Sequence, residues 1–273
     1  TTTATTTIIQ VPVNSTTTVY NLLQDLTYGY DSVGNILSIN EKALTGLGRS
    51  VSYTYDGLYR LSTATAVASS SPYTAIYTYN ALGNMLTNSG LSYTYAGTGY
   101  ANPHAPTSIG TSALSYDNAG NVLSNASSTY TWDFSNRMQS ANGIDGLSTF
   151  AYDYAGARTS LAVGGLTTYY PTQSYSKKGT TATKRIFVGD TPMVTIEPVG
   201  STTPTVAYVA SDHLGGTSVI TGPTGLMLEA VDYLPYGGIR VDAKSGPFSE
   251  QRKYIGQYQD STNLSYLNAR YYD

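Results

Sequence analysis

Two histidines, seventeen Asp and Glu residues and no cysteine limit the chemistry open to this chain. His213 follows Ser211 and Asp212, which sets hydroxyl, acid and base side by side. A catalytic triad needs three groups that converge in space, and adjacency in the chain does not give that geometry. The segment therefore reads as a structural turn. His104 stands in a Pro-rich loop and reads as exposed or stacked on a neighbour. Asp232 and Asp242 are candidates for an acid pair, yet nothing in their spacing specifies an approach. The Asp-x-x-Gly-Asn segments suggest calcium, but they lack the alternating carboxylates of a calcium loop. Turn formation accounts for them. Without thiols there is no disulfide framework and no thiolate metal site. The expectation is a chain with no catalytic residues, no metal, no cofactor and no reactive pocket. It is not an enzyme. Asn14, Asn125 and Asn263 each begin an Asn-x-Ser/Thr sequon and are candidates for glycosylation.

Only 11% of the 273 residues are charged, against about 25% in ordinary soluble domains. The surface must be covered by Thr, Ser, Asn, Gly and Tyr, and such a surface repels copies of itself weakly. The net charge of −3 supplies no basic stripe for phosphates, which argues against nucleic acid. Lys177-Lys178 and Lys184-Arg185 read as solvated charges. No apolar run approaches the roughly 20 residues of a membrane span.

The residues that would position any chemistry lie in a recurring tyrosine-led phrase. Tyr28-Gly29-Tyr30-Asp31-Ser32-Val33-Gly34-Asn35-Ile36-Leu37 reads as strand, turn, strand. Its anchor aromatic returns at Tyr55, Tyr79, Tyr95, Tyr116, Trp132 and Tyr152. Self-similarity at such a period signals a repeat in which each unit buries its face against its neighbours. In Tyr-x-Tyr both rings share one face of a strand. Asp or Asn then opens a turn, and Gly34, Gly83, Gly120 and Gly156 close it with a positive φ. The result is a string of hairpins forming a long antiparallel ribbon. Tyr outnumbers Phe by 27 to 4. Tyr buries a ring while keeping a hydroxyl for water or a partner, which suits a thin sheet that is wet on one side.

Residues 1–27 differ from the rest. A Thr run leads into Ile8, Ile9, Val11 and Val13, a strand that Pro12 demotes to an edge position. It is either a frayed tail with an edge strand or a strand donated to another subunit. Asn21 to Leu26 is open between a helical turn and a strand. Residues 28–168 carry the repeats. From 169 to 273 the strands are longer, with candidates at 184–188, 192–197, 206–210, 218–221 and 227–233. The chain begins with Thr rather than Met, so it reads as processed or excised from something longer.

Further motifs crowd the last third: Asp212-His213-Leu214-Gly215-Gly216-Thr217, Tyr233-Leu234-Pro235-Tyr236-Gly237, Tyr254-Ile255-Gly256-Gln257-Tyr258, and Leu264 through Asp273. With the upstream repeats they resemble the Rhs/YD-repeat family and its core-associated region, over nearly everything after residue 28. The resemblance implies a β-sheet strip that spirals into a hollow shell. In bacterial members the shell encloses a toxin that aspartate-dependent self-cleavage releases; teneurin-like animal members use a related barrel in adhesion. The sequence stops at Asp273, where the cleavage segment would begin. Ser218 also follows Thr217 where the family has a basic residue. The fold is therefore carried over, and the protease and toxin activities are not.

The chain is short for a closed shell, so its ribbon must be completed by neighbouring copies or by a longer parent chain. The reading is an all-β, non-enzymatic, extracellular bacterial structural protein that self-assembles into a fibre or tube wall, with copies of itself as partners. The alternatives are a fragment of a toxin-enclosing shell and a glycan-binding surface module.

Overall fold

A computed structural model describes residues 6–12, 20–43, 50–67, 71–97, 102–200 and 202–273, with side chains from residue 23 onward. Val13 and Asn14 lie outside the described residues. The strands form three antiparallel sheets, each in chain order. Ten strands run from β1 (Thr6–Pro12) to β10 (Ser112–Ala113), fourteen from β11 (Ser115–Tyr116) to β24 (Ile239–Lys244), and three short ones from β25 (Tyr258–Gln259) to β27 (Tyr271–Tyr272). The predicted ribbon is thus interrupted between Ala113 and Ser115. It is not interrupted near residue 168, where β17 (Leu166–Thr172) continues the second sheet. All five longer strands expected in the last third are present, and Asn21 to Leu26 belongs to strand β2 (Tyr20–Tyr30). Strand β1 pairs with β2 of its own chain, Ile8 opposite Asp25, Ile9 opposite Gln24 and Val11 opposite Asn21. Among the described residues no helix is long and apolar enough to cross a membrane.

One local device repeats. Asp31 Oδ1 accepts the amides of Val33 and Asn35 at 3.0 and 2.8 Å, and the Asp31 amide donates to Asn35 O at 3.0 Å. The same pattern recurs at Asp56, Asn80, Asp117 and Asp133. Gly34, Gly83, Gly120 and Gly156 take φ values of 94°, 85°, 87° and 88°, the positive region that closes the turn. Tyr59 and Asn136 occupy the equivalent place at 60° and 59°. Asn tolerates that region; a bulky ring does so only with strain.

The extra turn residue creates a bulge at each anchor. Tyr30 faces Ile36, Tyr55 faces Leu61, Tyr79 faces Met85, Tyr116 faces Val122, Trp132 faces Met138, and Tyr152 faces Arg158. A bulge leaves ladder groups unpaired, and the next anchor fills the gap. Tyr55 Oη donates to Ile36 O at 2.8 Å, Tyr79 Oη to Leu61 O at 2.8 Å, and Tyr95 Oη to Met85 O at 2.9 Å. Tyr116 Oη donates to Pro106 O, Trp132 Nε1 to Val122 O, and Tyr152 Oη to Met138 O. Each anchor therefore caps the carbonyl opposite the anchor before it. Phe cannot do this, which accounts for Tyr rather than Phe at these anchors. Each such bond contributes about 1 kcal/mol net.

Side chains alternate across the strands as the period of two requires. In β6 (Tyr73–Tyr79), Ala75 and Tyr77 are buried while Thr74, Ile76 and Thr78 are exposed. The exposed face carries cross-strand hydroxyl pairs, Thr54 with Ser62, Thr78 with Thr87 and Thr131 with Ser140, each at 2.7 Å. These pairs show how a chain so poor in charge stays wetted. The C-terminal part of the second sheet folds back against the first sheet. Gln24 Nε2 donates to Ser218 Oγ at 2.6 Å, and Tyr79 Oη meets Tyr236 Oη at 2.6 Å. Strand β22 (Thr217–Thr221) is buried along its whole length.

Candidate functional site

The sites proposed from sequence are turns and pairs. Asp212 Oδ1 accepts the amides of Leu214 and Gly216 at 2.9 and 2.8 Å, so its carboxylate shapes the turn. The His213 ring lies 5.3 Å from that of Tyr28. His104 Nδ1 meets Asn84 Oδ1 at 2.6 Å, and Asn84 in turn donates to Pro103 O. Asp232 pairs with Arg240, while Asp242 pairs with Lys244 at 3.0 Å. In the ladder Val231 faces Asp242 and Asp232 faces Val241, so the two acids point to opposite sides of the sheet. Asn125 Oδ1 accepts the amides of Ser127 and Ser128, and Asn263 sits exposed in a turn at φ 61°. Among the described residues no three His, Asp or Glu side chains gather as metal ligands.

What sequence reasoning missed lies under the C-terminal tail. From Ser245 onward the chain leaves the sheet, makes a short 3-10 turn at Tyr254–Gly256 and forms the three small strands. A Cβ on Gly237 would lie 2.6 Å from the Tyr254 ring, so the tail fits only over a glycine there. Tyr258, Leu264 and Tyr266 of the tail pack into one core with Met138, Ala141, Phe150, Leu161 and Tyr170. Tyr152 Oη meets Tyr271 Oη at 2.9 Å.

The tail also brings charges to buried partners. Arg158, at the start of β16 (Arg158–Val163), forms a two-pronged ion pair with Asp260. Arg185, in β19 (Thr181–Val188), donates through Nε and Nη2 to Glu250 Oε1 at 2.9 and 2.7 Å. Glu229, in β23 (Met227–Tyr233), pairs with Lys253 and accepts the Glu250 amide at 2.8 Å. These groups are almost fully buried. The expectation of a solvated Arg185 is therefore corrected: a matching carboxylate 65 residues away draws it inside. A cavity of about 730 Å³ lies under the tail, lined by Arg185, Glu197, Asp242, Lys244, Glu250 and Lys253 among others.

Burial raises the Glu250 carboxyl, but Arg185, Thr195 and the Arg252 amide outweigh it and hold the group below the usual carboxylate range. Burial lowers the Arg158 guanidinium, and Asp260 more than restores it. For Asp260 burial dominates over Arg158, and its carboxyl is pushed up. Each carboxylate of the three pairs holds a cation against it. The arrangement fastens the tail to the sheet.

The family model of the teneurin YD-shell matches residues 8–160, more than half of the chain. No curated protein matches. Among solved structures, a crystal structure of TcdB2-TccC3-TEV is 19% identical with a TM-score of 0.74, covering 93% of this chain and 15% of that one. The Photorhabdus luminescens Tc holotoxin pore, carrying a TccC3 mutation, is 18% identical with a TM-score of 0.74 and the same coverage. TcdB2-TccC3 without its hypervariable C-terminal region matches along 100% of this chain, at 18% identity and a TM-score of 0.67. The chain thus spans about one sixth of the length of these structures. At such identities the likeness shows a common fold, a strip of antiparallel hairpins. Taken with the match along the tyrosine repeats, it establishes that the chain belongs to the teneurin YD-shell family.

Proposed function

We propose that this chain is a stretch of the wall of a YD shell, a non-enzymatic module whose larger protein encloses a polypeptide and acts outside a bacterial cell. The observation that carries this reading is the strand order. Within each sheet every strand pairs with its chain neighbours, and the terminal segment is fastened beneath the second sheet by buried ion pairs. Such a strip extends by adding hairpins and holds a curved surface with one face turned inward. The fold is that of solved structures containing TccC3, along nearly the whole chain, which favours enclosure over the fibre read from sequence.

Self-assembly into a fibre or tube is the second reading, and the outer edge of β1, which pairs with no further strand among the described residues, supports it. Limited proteolysis of the protein encoded by its complete gene separates the two. Enclosure predicts a segment that stays uncut under native conditions and is cut once the shell is denatured. A protein cut throughout at native rates, and sedimenting as polymer, would overturn enclosure and support the fibre.

A further inference from the structure

A small cavity of about 180 Å³ lies between the first sheet and the C-terminal part of the second, and four tyrosines line it. Tyr53 and Tyr55 stand two residues apart on β4 (Ser50–Tyr55), so both approach from one face of the first sheet. Tyr233 ends β23, and Tyr254 belongs to the 3-10 turn of the tail. The rings of these two lie 5.6 Å apart and are tilted by 56°, which gives walls that are not parallel. His213 and Leu214 also line the cavity and are exposed. Its mouth therefore opens at the turn that follows β21 (Thr205–Ser211).

The charge of this cavity is one-sided. Two carboxylates line it, Asp212 and Asp232. Arg240 neutralises Asp232. Among the described residues Asp212 forms no ion pair, and His213 is neutral at pH 7. One negative charge is left over. Burial raises the Tyr254 hydroxyl and the Asp212 charge adds to that rise, so the carboxylate acts on the cavity wall. Hydrogen-bonding groups are by contrast largely engaged. Tyr55 Oη donates to Ile36 O at 2.8 Å, Tyr233 Oη to Thr217 O at 2.9 Å and Tyr254 Oη to Pro235 O at 3.2 Å. Asp212 Oδ1 already accepts two amides of its own turn.

We propose that this cavity binds a quaternary ammonium group. Tyrosine rings and an unpaired carboxylate both attract a cation. A primary ammonium carries three N–H donors that each need an acceptor, and the engaged oxygens here offer few. A trimethylammonium has no N–H to satisfy, and its methyl groups suit walls made of rings. The cavity is smaller than the roughly 300–1,000 Å³ of sites that hold a whole drug-sized ligand. It therefore takes a head group, and the rest of the ligand leaves through the mouth beside Leu214. The site is built wholly within this chain and does not rest on the shell reading.

Choline is a suitable probe, and its uncharged match is the dimethylbutanol in which carbon replaces the nitrogen. In saturation-transfer NMR on the intact chain, the choline methyl protons are expected to receive magnetisation saturably from tyrosine rings. The dimethylbutanol is expected to bind about tenfold more weakly, because it lacks the charge. Asp212→Asn removes the carboxylate charge and keeps the turn, since Asn80 Oδ1 accepts the amides of Leu82 and Asn84 in the equivalent place. That variant is expected to weaken choline binding about tenfold. A peptide carrying trimethyl-lysine identifies the source of the group: tighter binding than choline assigns it to a protein side chain, weaker binding to a small molecule, and both support the site. Absence of saturable transfer from the rings would overturn the proposal. So would equal binding of the dimethylbutanol, or unchanged choline affinity in Asp212→Asn.

Discussion

A buried phenol needs somewhere to put its hydroxyl, and here the backbone supplies the place. Tyr95 Oη caps Met85 O, so Tyr95→Phe should lower unfolding stability in urea by about 1 kcal/mol. Tyr154→Phe should change nothing, because that ring is fully exposed. Alkali tests the set together. Burial raises the Tyr152 hydroxyl to about 12, with Tyr271 and other neighbours modifying it. Burial likewise raises Tyr55 and Tyr95. A folded pKa above the unfolded value of about 10 means the proton is held more tightly in the native state. The stability so gained is complete below pH 10 and is lost as pH rises toward 12. Denaturant midpoints that stay flat across that interval would contradict the buried phenols. The turns offer a third test. Tyr59 holds a φ of 60° that suits glycine, so Tyr59→Gly should stabilise the chain or leave it unchanged, while Gly34→Ala should destabilise it by about 1 kcal/mol.

At the scale of elements, the hairpins were legible because each is local. Turn acid, glycine and paired rings lie within ten residues, and the period of two assigns the faces. The carbonyl that each ring caps was not legible, since it belongs to the preceding repeat and shows only in the register of the bulge. Nor were the buried ion pairs. Arg185 and Glu250 are 65 residues apart, Arg158 and Asp260 are 102 apart, and nothing in either local sequence names its partner. The tail's motifs suggested the family, yet the family match itself rests on residues 8–160. The way the tail is fastened can be measured. Glu250→Ala strands a buried Arg185 and should cost about 3–5 kcal/mol, and the double change Arg185→Met with Glu250→Leu should recover most of it. Simple addition of the two single effects would show that the charges do not interact. Arg252→Met removes a buried charge that has no carboxylate partner among the described residues, and should leave stability equal or higher.

At the scale of the whole molecule, two large sheets and a tail form layers with one face of hydroxyls and one of rings and paired charges. A wall built this way gains its strength from repetition, since each rung adds little and each is supported by its neighbours. The chain covers only about 15% of the length of the structures it matches, and enclosure is a proposal to be tested on the larger scale. Electron cryomicroscopy of the protein encoded by the complete gene tests this most directly. The account predicts a closed hollow particle in which these hairpins form one continuous stretch of wall, with the tail inside and further density enclosed. A regular filament joined through the edge of β1, or an open sheet with nothing inside, would contradict it.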